Sequence, residues 1–214
     1  MIPITKPTLS PYEKYADKFR EAIESGQITN GKYVKELEEK VAAYLGVKYC
    51  VAVSSCTSGM MLVLKGLGVT GEAILPSFTF SATGHPLLWN NITPVFADID
   101  PDTYAIDPES AEQRITGKTQ IIMATHIFGN TPDIERLETI AKKYNLKLMF
   151  DAAHAFGSEY KGKKIGGFGD AEVFSCSPTK VLTTGEGGFV TTNNKDLNDF
   201  CRIGRNYGDD GSYD

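Results

Sequence analysis

The segment from Leu146 to Lys180 contains the pattern on which the predicted fold depends. It opens with the apolar run LKLMF (146–150) and Asp151, continues as AAHAFG (152–157), and reaches the loop SPTK (177–180). A short apolar run that ends in an acidic residue is typical of a buried parallel strand whose carboxyl end points into a ligand crevice. The sequence therefore predicts a strand that presents the carboxylate of Asp151 to a ligand.

Asp151 and Lys180 are the candidate chemical groups of this segment. A carboxylate at such a position can pair with a cationic ring nitrogen, and a lysine amine kept neutral by desolvation can form a Schiff base with an aldehyde. Pyridoxal 5'-phosphate (PLP) needs both partners. An isolated Asp at a strand end is more often a turn residue or helix cap, however, and an isolated Lys is more often a solvated surface charge. The spacing alone leaves both interpretations open.

The composition predicts a soluble globular protein with one sizeable core. The 214 residues are 41% hydrophobic and 23% charged, with a net charge of −5. This mild acidity, without a basic run, argues against a nucleic-acid-binding face. The start MIPITKPTLS lacks the features of a signal peptide, and no apolar stretch approaches the roughly 20 residues that a transmembrane helix needs.

The cysteines do not indicate a metal site. Cys50, Cys56, Cys176 and Cys201 have neither CxxC spacing nor nearby histidines, which argues against zinc. Without a small secreted framework, they suggest reduced thiols and a cytoplasmic setting. Asp98, Asp100 and Asp102 resemble a metal cluster but are interpreted as turn residues and caps.

Strand patterns and helix patterns alternate along the chain. Strands are expected at 49–53, 72–75, 92–99, 120–124, 146–150 and 189–192, and helices near 10–25, 32–45, 61–67, 108–114, 132–144 and from 194. The first helix is expected to start with a capping box at Ser10-Pro11-Tyr12-Glu13 and to pack through Tyr12, Tyr15, Phe19 and Ile23. Such alternation predicts an α/β fold, a mainly parallel sheet with helices on both faces.

Several predicted strand ends carry small, polar or aromatic residues that could meet at one edge of this sheet. They are 54–58, 76–80, 126–129, 151–154 and 175–180. At the first, a helix start exposes unpaired N–H groups of Thr57 and Ser58, which suits an anion, although a plain N-cap is the commoner arrangement. At the second, Phe80 could stack on a ligand or belong to the core.

The motifs FDAAHAFG, GGFGDAEVFS, SPTK and GEGGFVTT, in this order, resemble the DegT/DnrJ/EryC1/StrS family of PLP-dependent sugar aminotransferases. The likeness extends from Gly26 to Gly208. It implies the large domain of the aspartate-aminotransferase-like fold (fold type I) over 1–214, with a helical segment at 1–46. The family's smaller C-terminal domain is expected to be absent from this chain.

The resemblance also implies residue roles. Lys180 would be the Schiff-base lysine, and Asp151 the partner of the pyridine nitrogen. Thr57 and Ser58, mainly through main-chain N–H groups, and the Ser175 hydroxyl would hold the phosphate. Phe80 would lie against the ring, and His154 near its 3-oxygen; without the resemblance, a histidine at this position is more often a satisfied buried histidine.

The function implied is transfer of an amino group from L-glutamate to a nucleotide-linked keto-deoxysugar. The stretches TNG (29–31), LLWNNITPVFADIDPDTYAIDP (87–108) and TKVLTTGEGG (179–188) most resemble members that aminate C4 of dTDP-4-keto-6-deoxyglucose. Amination at C3 or of another nucleotide sugar is an alternative, and so is a non-catalytic PLP-fold binding or regulatory protein. A homodimer with shared active sites is expected.

Overall fold

The computed structural model describes residues 6–210. The expectations for the extreme termini, 1–5 and 211–214, lie outside the described residues. The strands are β1 Tyr49–Val53, β2 Glu72–Pro76, β3 Thr93–Ala97, β4 Thr119–Thr125, β5 Lys147–Asp151, β6 Glu159–Tyr160, β7 Lys163–Lys164, β8 Ala171–Ser175 and β9 Gly188–Thr192. Seven of them form one sheet in the order β1-β9-β8-β5-β4-β2-β3. Strands β6 and β7 form a separate antiparallel hairpin.

The sheet is mainly parallel, as predicted. Strands β3, β2, β4, β5 and β8 run in one direction, whereas β9 is antiparallel to both β8 and β1. Two antiparallel steps leave β1 pointing the same way as β8. The carboxyl ends of β1, β2, β4, β5 and β8 therefore meet at one edge of the sheet, where ligands bind in open α/β folds.

Helices cover both faces of the sheet. They are α1 Ala16–Glu24, α2 Lys32–Leu45, α3 Cys56–Gly66, α4 Ser81–Trp89, α5 Pro108–Gln113, α6 Ile134–Tyr144 and α7 Lys195–Gly204. Leu148 and Phe150 share a buried cluster with residues of α2, α5 and α6, and Met149 shares the other cluster with residues of α3, α4 and α7. Because strand side chains alternate between faces, Asp151 lies on the Met149 side, beneath α3 and α4.

The prediction for the first helix was wrong in two respects. Pro11 precedes a 3-10 turn at Tyr12–Lys14 without a side-chain cap, so Ser10 forms no capping box, and α1 begins only at Ala16. The expected packing face is solvent-exposed, with Phe19 at 63% and Ile23 at 67%. By contrast, α2 ends where predicted, at Gly46 in the left-handed conformation (φ 71°).

Helix α4 was not predicted. Its sequence SATGHPLLW contains Gly84 and Pro86, both poor helix formers, so local propensity argues against a helix here. The helix forms because Thr83, Pro86 and Leu87 are buried by the surrounding structure.

None of the helices in residues 6–210 combines the length and the apolar character that a membrane-spanning helix requires.

Candidate functional site

A cleft of about 210 Å³ opens at the carboxyl edge of the sheet. It is lined by residues from the segments that follow β1, β2, β4, β5 and β8. Six of the seven predicted site residues line it, namely Thr57, Phe80, Asp151, His154, Ser175 and Lys180. The convergence expected from the strand ends is therefore present in the structure.

Asp151, the last residue of β5, is buried at 4% exposure. Its Oδ2 accepts a hydrogen bond from Thr83 Oγ1 at 2.7 Å, and its Oδ1 accepts one from the main-chain N–H of Ala153 at 3.1 Å. Among the described residues, no lysine, arginine or histidine forms an ion pair with it. A buried carboxylate held only by neutral donors favours the binding of a cationic group beside it.

Lys180 enters the cleft from a tight turn. Its main-chain N–H donates to the carbonyl of Ser177 at 3.0 Å, which closes the four-residue SPTK turn, and its side chain lines the cleft. The charge of Lys180 acts on the other groups in the cleft, because it helps to lower the pKa of His154 and opposes the rise in the pKa of Cys56. Lys180 and Asp151 therefore lie in one electrostatic environment.

His154 is oriented by the main chain of Phe128, whose N–H donates to Nδ1 at 3.2 Å. The two rings lie nearly parallel, with an interplanar angle of 5°. Burial lowers the pKa of His154, the charge of Lys180 lowers it further, and Asp151 opposes these effects. A neutral imidazole that accepts at Nδ1 carries its proton on Nε2.

Thr57 and Ser58 are neighbours at the amino terminus of α3, but they differ in their hydrogen bonds and in the pocket that they line. Ser55 caps the helix through a reciprocal pair of bonds: the Ser58 N–H donates to Ser55 Oγ at 3.1 Å, and the Ser55 N–H donates to Ser58 Oγ at 3.0 Å. The amide of Ser58 is therefore occupied, and its side chain lines a neighbouring groove with Asn30 and Arg205. Thr57 faces the cleft, and an α-helix gives its amide no internal acceptor.

Gly188 allows β9 to pass close to the start of α3. A Cβ atom at this position would lie 2.7 Å from the amide nitrogen of Cys56 and 2.5 Å from the carbonyl oxygen of Phe174. Any larger residue would push the start of α3 away from the sheet. The position of the helix terminus at the cleft therefore depends on this glycine.

Ser175 and Phe80 complete the predicted set. Ser175 Oγ lies 3.3 Å from Ser177 Oγ, so two hydroxyls adjoin at the end of β8. Phe80 is the N-cap residue of α4 and is 72% exposed, which excludes the alternative that it belongs to the core. Both side chains line the cleft.

The candidate residues drawn from the sequence omit further polar groups at the cleft, among them Ser177, Thr79, Thr125 and Thr83. Ser177 also lines it, and the SPTK motif was a usable signal for that residue. Thr83 lies on the helix that was not predicted, so its contact with Asp151 had no signal in the sequence.

The acidic segment after β3 is a turn, as interpreted: Asp100 Oδ1 accepts from the amides of Asp102 and Thr103.

Comparison with known proteins is consistent with this geometry. The model of the DegT/DnrJ/EryC1/StrS aminotransferase family matches residues 11–214. A dTDP-4-amino-4,6-dideoxy-D-glucose transaminase of Shigella dysenteriae is 39% identical over 206 residues, which cover 96% of this chain and 56% of the relative. A dTDP-3-amino-3,6-dideoxy-alpha-D-galactopyranose transaminase of Aneurinibacillus thermoaerophilus is 40% identical over 195 residues, which cover 90% of this chain and 54% of the relative.

Solved structures show the same fold. DesI, determined in the presence of its TDP-sugar product, superposes with a TM-score of 0.94 at 38% identity, covering 98% of this chain and 54% of DesI. The chain thus spans about half the length of the relatives that it matches. Aminotransferases of this family use PLP, and a solved relative has been obtained in both the PLP and the PMP form. The match over nearly the whole described chain, together with the shared fold, shows that the chain belongs to the DegT/DnrJ/EryC1/StrS aminotransferase family.

Proposed function

We propose that the complete protein is a PLP-dependent aminotransferase that acts on nucleotide-linked sugars. The observation that carries this proposal is the environment of Asp151, a buried carboxylate with two close neutral donors and no ion pair among residues 6–210. A protonated pyridine nitrogen supplies the cationic donor that such a carboxylate lacks. Lys180, in the same cleft, supplies the amine that binds the aldehyde carbon.

The remaining residues of the cleft fit the rest of the cofactor. The phosphate would be held by the main-chain N–H of Thr57 at the start of α3 and by the hydroxyl of Ser175. Ser58 is left out of this set, because its amide already donates to Ser55. The exposed ring of Phe80 would lie against the pyridine ring, and Nε2–H of His154 would donate to the 3-oxygen.

The bound cofactor supplies an electron sink for the carbanion that forms when the amino donor loses its α-proton. Asp151 keeps the proton on the ring nitrogen, which preserves that sink. Once the amine of the donor has replaced it on the aldehyde carbon, the free Nζ of Lys180 would move the α-proton, first as general base and then as general acid. Burial of Asp151 strengthens its interaction with the ring, because water does not screen it.

We propose L-glutamate as the amino donor and C4 of dTDP-4-keto-6-deoxyglucose as the acceptor. The C4 assignment is supported by the 39% identical 4-amino-sugar transaminase. A 3-amino-sugar transaminase is 40% identical, so amination at C3 is the second candidate. The joint presence of Asp151 and Lys180 in one cleft argues against a non-catalytic binding or regulatory protein.

Mass spectrometry of the full-length protein with PLP, nitrogen-labelled L-glutamate and a panel of nucleotide keto-sugars tests this function. We expect label to appear in the amino derivative of the 4-keto sugar, with the position confirmed by NMR. Label only in a C3 product would overturn the C4 assignment. Bound PLP without label in any sugar would favour the non-catalytic alternative.

We further propose that the complete protein is a C2 homodimer whose two active sites are shared between the subunits. PLP titration and sedimentation of the same preparation test this assembly. A monomer that binds PLP with full affinity would show that each site belongs to one chain.

A further inference from the structure

The two oxygens of Asp151 are held by groups of different origin. Oδ1 accepts from the N–H of Ala153, two residues further along the same loop, at 3.1 Å, and the Cys56 thiol at the start of α3 lies 3.8 Å from it. Oδ2 is held by the hydroxyl of Thr83, 68 residues away on α4, at 2.7 Å. Thr83 is fully buried at 0% exposure, so water does not compete for this bond. The shortest side-chain hydrogen bond that orients the carboxylate therefore comes from α4.

The number of protons available on each hydroxyl determines which group donates in the hydrogen bond between Thr83 and Asp151. A threonine hydroxyl has one proton, and an ionised carboxylate can only accept a hydrogen bond. The Thr83 hydroxyl therefore donates its single proton to Asp151. Thr79 Oγ1 lies 2.7 Å from Thr83 Oγ1 and must therefore donate to it. By the same count, Thr125 Oγ1, 3.2 Å from Thr79 Oγ1, donates to Thr79. The hydroxyls form one directed series from Thr125 through Thr79 and Thr83 to Asp151, in which each bond polarises the next.

The series begins and ends on neighbouring strands. Thr125 on β4 is the direct register partner of Asp151 on β5. Thr79 lies in the segment between β2 and α4, and Thr83 lies in the first turn of α4. The hydrogen bonds therefore leave the sheet at Thr125 and return to it at Asp151. This closed path fixes the first turn of α4 to the two strand ends that border the cleft.

We propose that Thr83 is a positioning residue that sets the orientation of the Asp151 carboxylate toward the pyridine nitrogen of the cofactor, with Thr79 and Thr125 orienting Thr83. The inference rests on the proposed function, because the group that Asp151 would meet is the PLP ring. The bond between Thr83 and Asp151 is a hydrogen bond to a charged group, and such bonds are shorter and stronger than neutral ones.

Two substitutions of Thr83 in the full-length protein separate this role from simple packing. Thr83→Val keeps the shape of the side chain but removes the hydroxyl, whereas Thr83→Ser keeps the hydroxyl but removes the methyl group. The readouts are the PLP dissociation constant and the circular dichroism of the bound-cofactor band, which reports how firmly the ring is oriented. For glutamate, kcat and KM are measured alongside.

We expect Thr83→Val to keep most of its affinity for PLP, to lose most of the cofactor band and to lower kcat about tenfold while changing KM less. Thr83→Ser should remain close to wild type in all these measurements. The opposite order, with Val near wild type and Ser impaired, would show a packing role and overturn the inference. Two variants that both match wild type would overturn it as well.

If Thr83→Val does not fold, Thr79→Val replaces it, with Thr79→Ser as its control. Thr79→Val keeps the hydroxyl that donates to Asp151 but removes the group that orients this hydroxyl. The same measurements should therefore change in the same direction but only severalfold, and values equal to wild type would overturn the inference. Wild-type protein is tested first for PLP on Lys180. Failure at that stage would contradict the proposed function itself, whereas a normal wild type with the reversed variant order contradicts only the role of Thr83.

Discussion

The main-chain N–H of Phe128 donates to Nδ1 of His154 from a left-handed backbone conformation with φ 55°. For a bulky residue, this conformation costs on the order of 1–3 kcal/mol and persists only where the surrounding structure imposes it. The contact it makes determines which imidazole nitrogen carries the proton. A strained residue therefore fixes the tautomer of a group in the cleft.

We predict that His154 makes the stability of the PLP-free protein depend on pH. Its folded pKa lies below the ordinary value of 6.5, because of burial and the charge of Lys180. Between these two values, the unfolded chain binds more protons than the folded one, so the free energy of unfolding falls as the pH drops through 6.5. Below the folded pKa, this contribution levels off.

Thermal unfolding of wild type and His154→Gln, measured from about pH 5 to pH 7, tests this prediction. The midpoint of the wild type should fall as the pH is lowered, and the slope should be shallower in the variant. Equal slopes in the two proteins would show that His154 does not titrate in the expected direction.

We predict that PLP attaches covalently to Lys180. Lys180 lines the cleft that contains Asp151, whereas Lys163 and Lys164 of the β6–β7 hairpin lie away from it. Borohydride reduction followed by peptide mapping should place the pyridoxyl group on Lys180. A label on either hairpin lysine, in protein that binds PLP, would refute the assignment.

We predict that Asp151→Asn keeps most of the cofactor affinity but lowers kcat by on the order of a hundredfold or more. An amide cannot stabilise the protonated ring nitrogen as a carboxylate does. Single-turnover kinetics with glutamate measure the effect. Asp199→Asn is the control, because this acid pairs with Lys195 on the exposed side of α7. Near-normal turnover in Asp151→Asn would eliminate the proposed role.

We predict that the buried carboxylate of Glu172, on β8, contributes substantially to the free energy of unfolding. It is fully buried; its Oε1 accepts from the amides of Gly166 and Phe168 at 2.7 and 2.8 Å, and its Oε2 lies 3.2 Å from Nε2 of His126. Glu172→Ala leaves these donors without an acceptor, which should cost about 3 kcal/mol or more.

Urea unfolding of Glu172→Ala measures this cost. The control is Glu135→Ala, which removes an exposed pair with Lys161 and should cost less than about 1 kcal/mol. A similar loss in the two variants would contradict a special contribution of Glu172.

Most strands, and the placement of Asp151 at the cleft, could be predicted because they depend on local patterns. The run 146–150 is apolar and ends at an acid, and the structure places β5 at Lys147–Asp151. Helix α2 likewise ends at Gly46, where a left-handed residue is needed. The prediction failed for α1, where periodic apolar residues were assumed to be covered. Periodicity identifies an apolar face but does not say whether another element packs on it.

Local sequence patterns were enough to predict six of the strands and the groups that follow their carboxyl ends, because backbone conformation and side-chain alternation depend on neighbouring residues; β6, β7 and β8 were not assigned ranges. The hydrogen-bond partners of those groups, and whether each one faces the cleft, depend instead on long-range packing. Ser58 lies next to Thr57 in the chain, yet its amide is occupied by Ser55 while Thr57 faces the cleft. Thr83 reaches Asp151 only because packing imposes α4 on a segment with weak helix propensity. A hydrogen bond requires atoms to meet within a few tenths of an ångström, and between segments 68 residues apart only the packed core sets that distance.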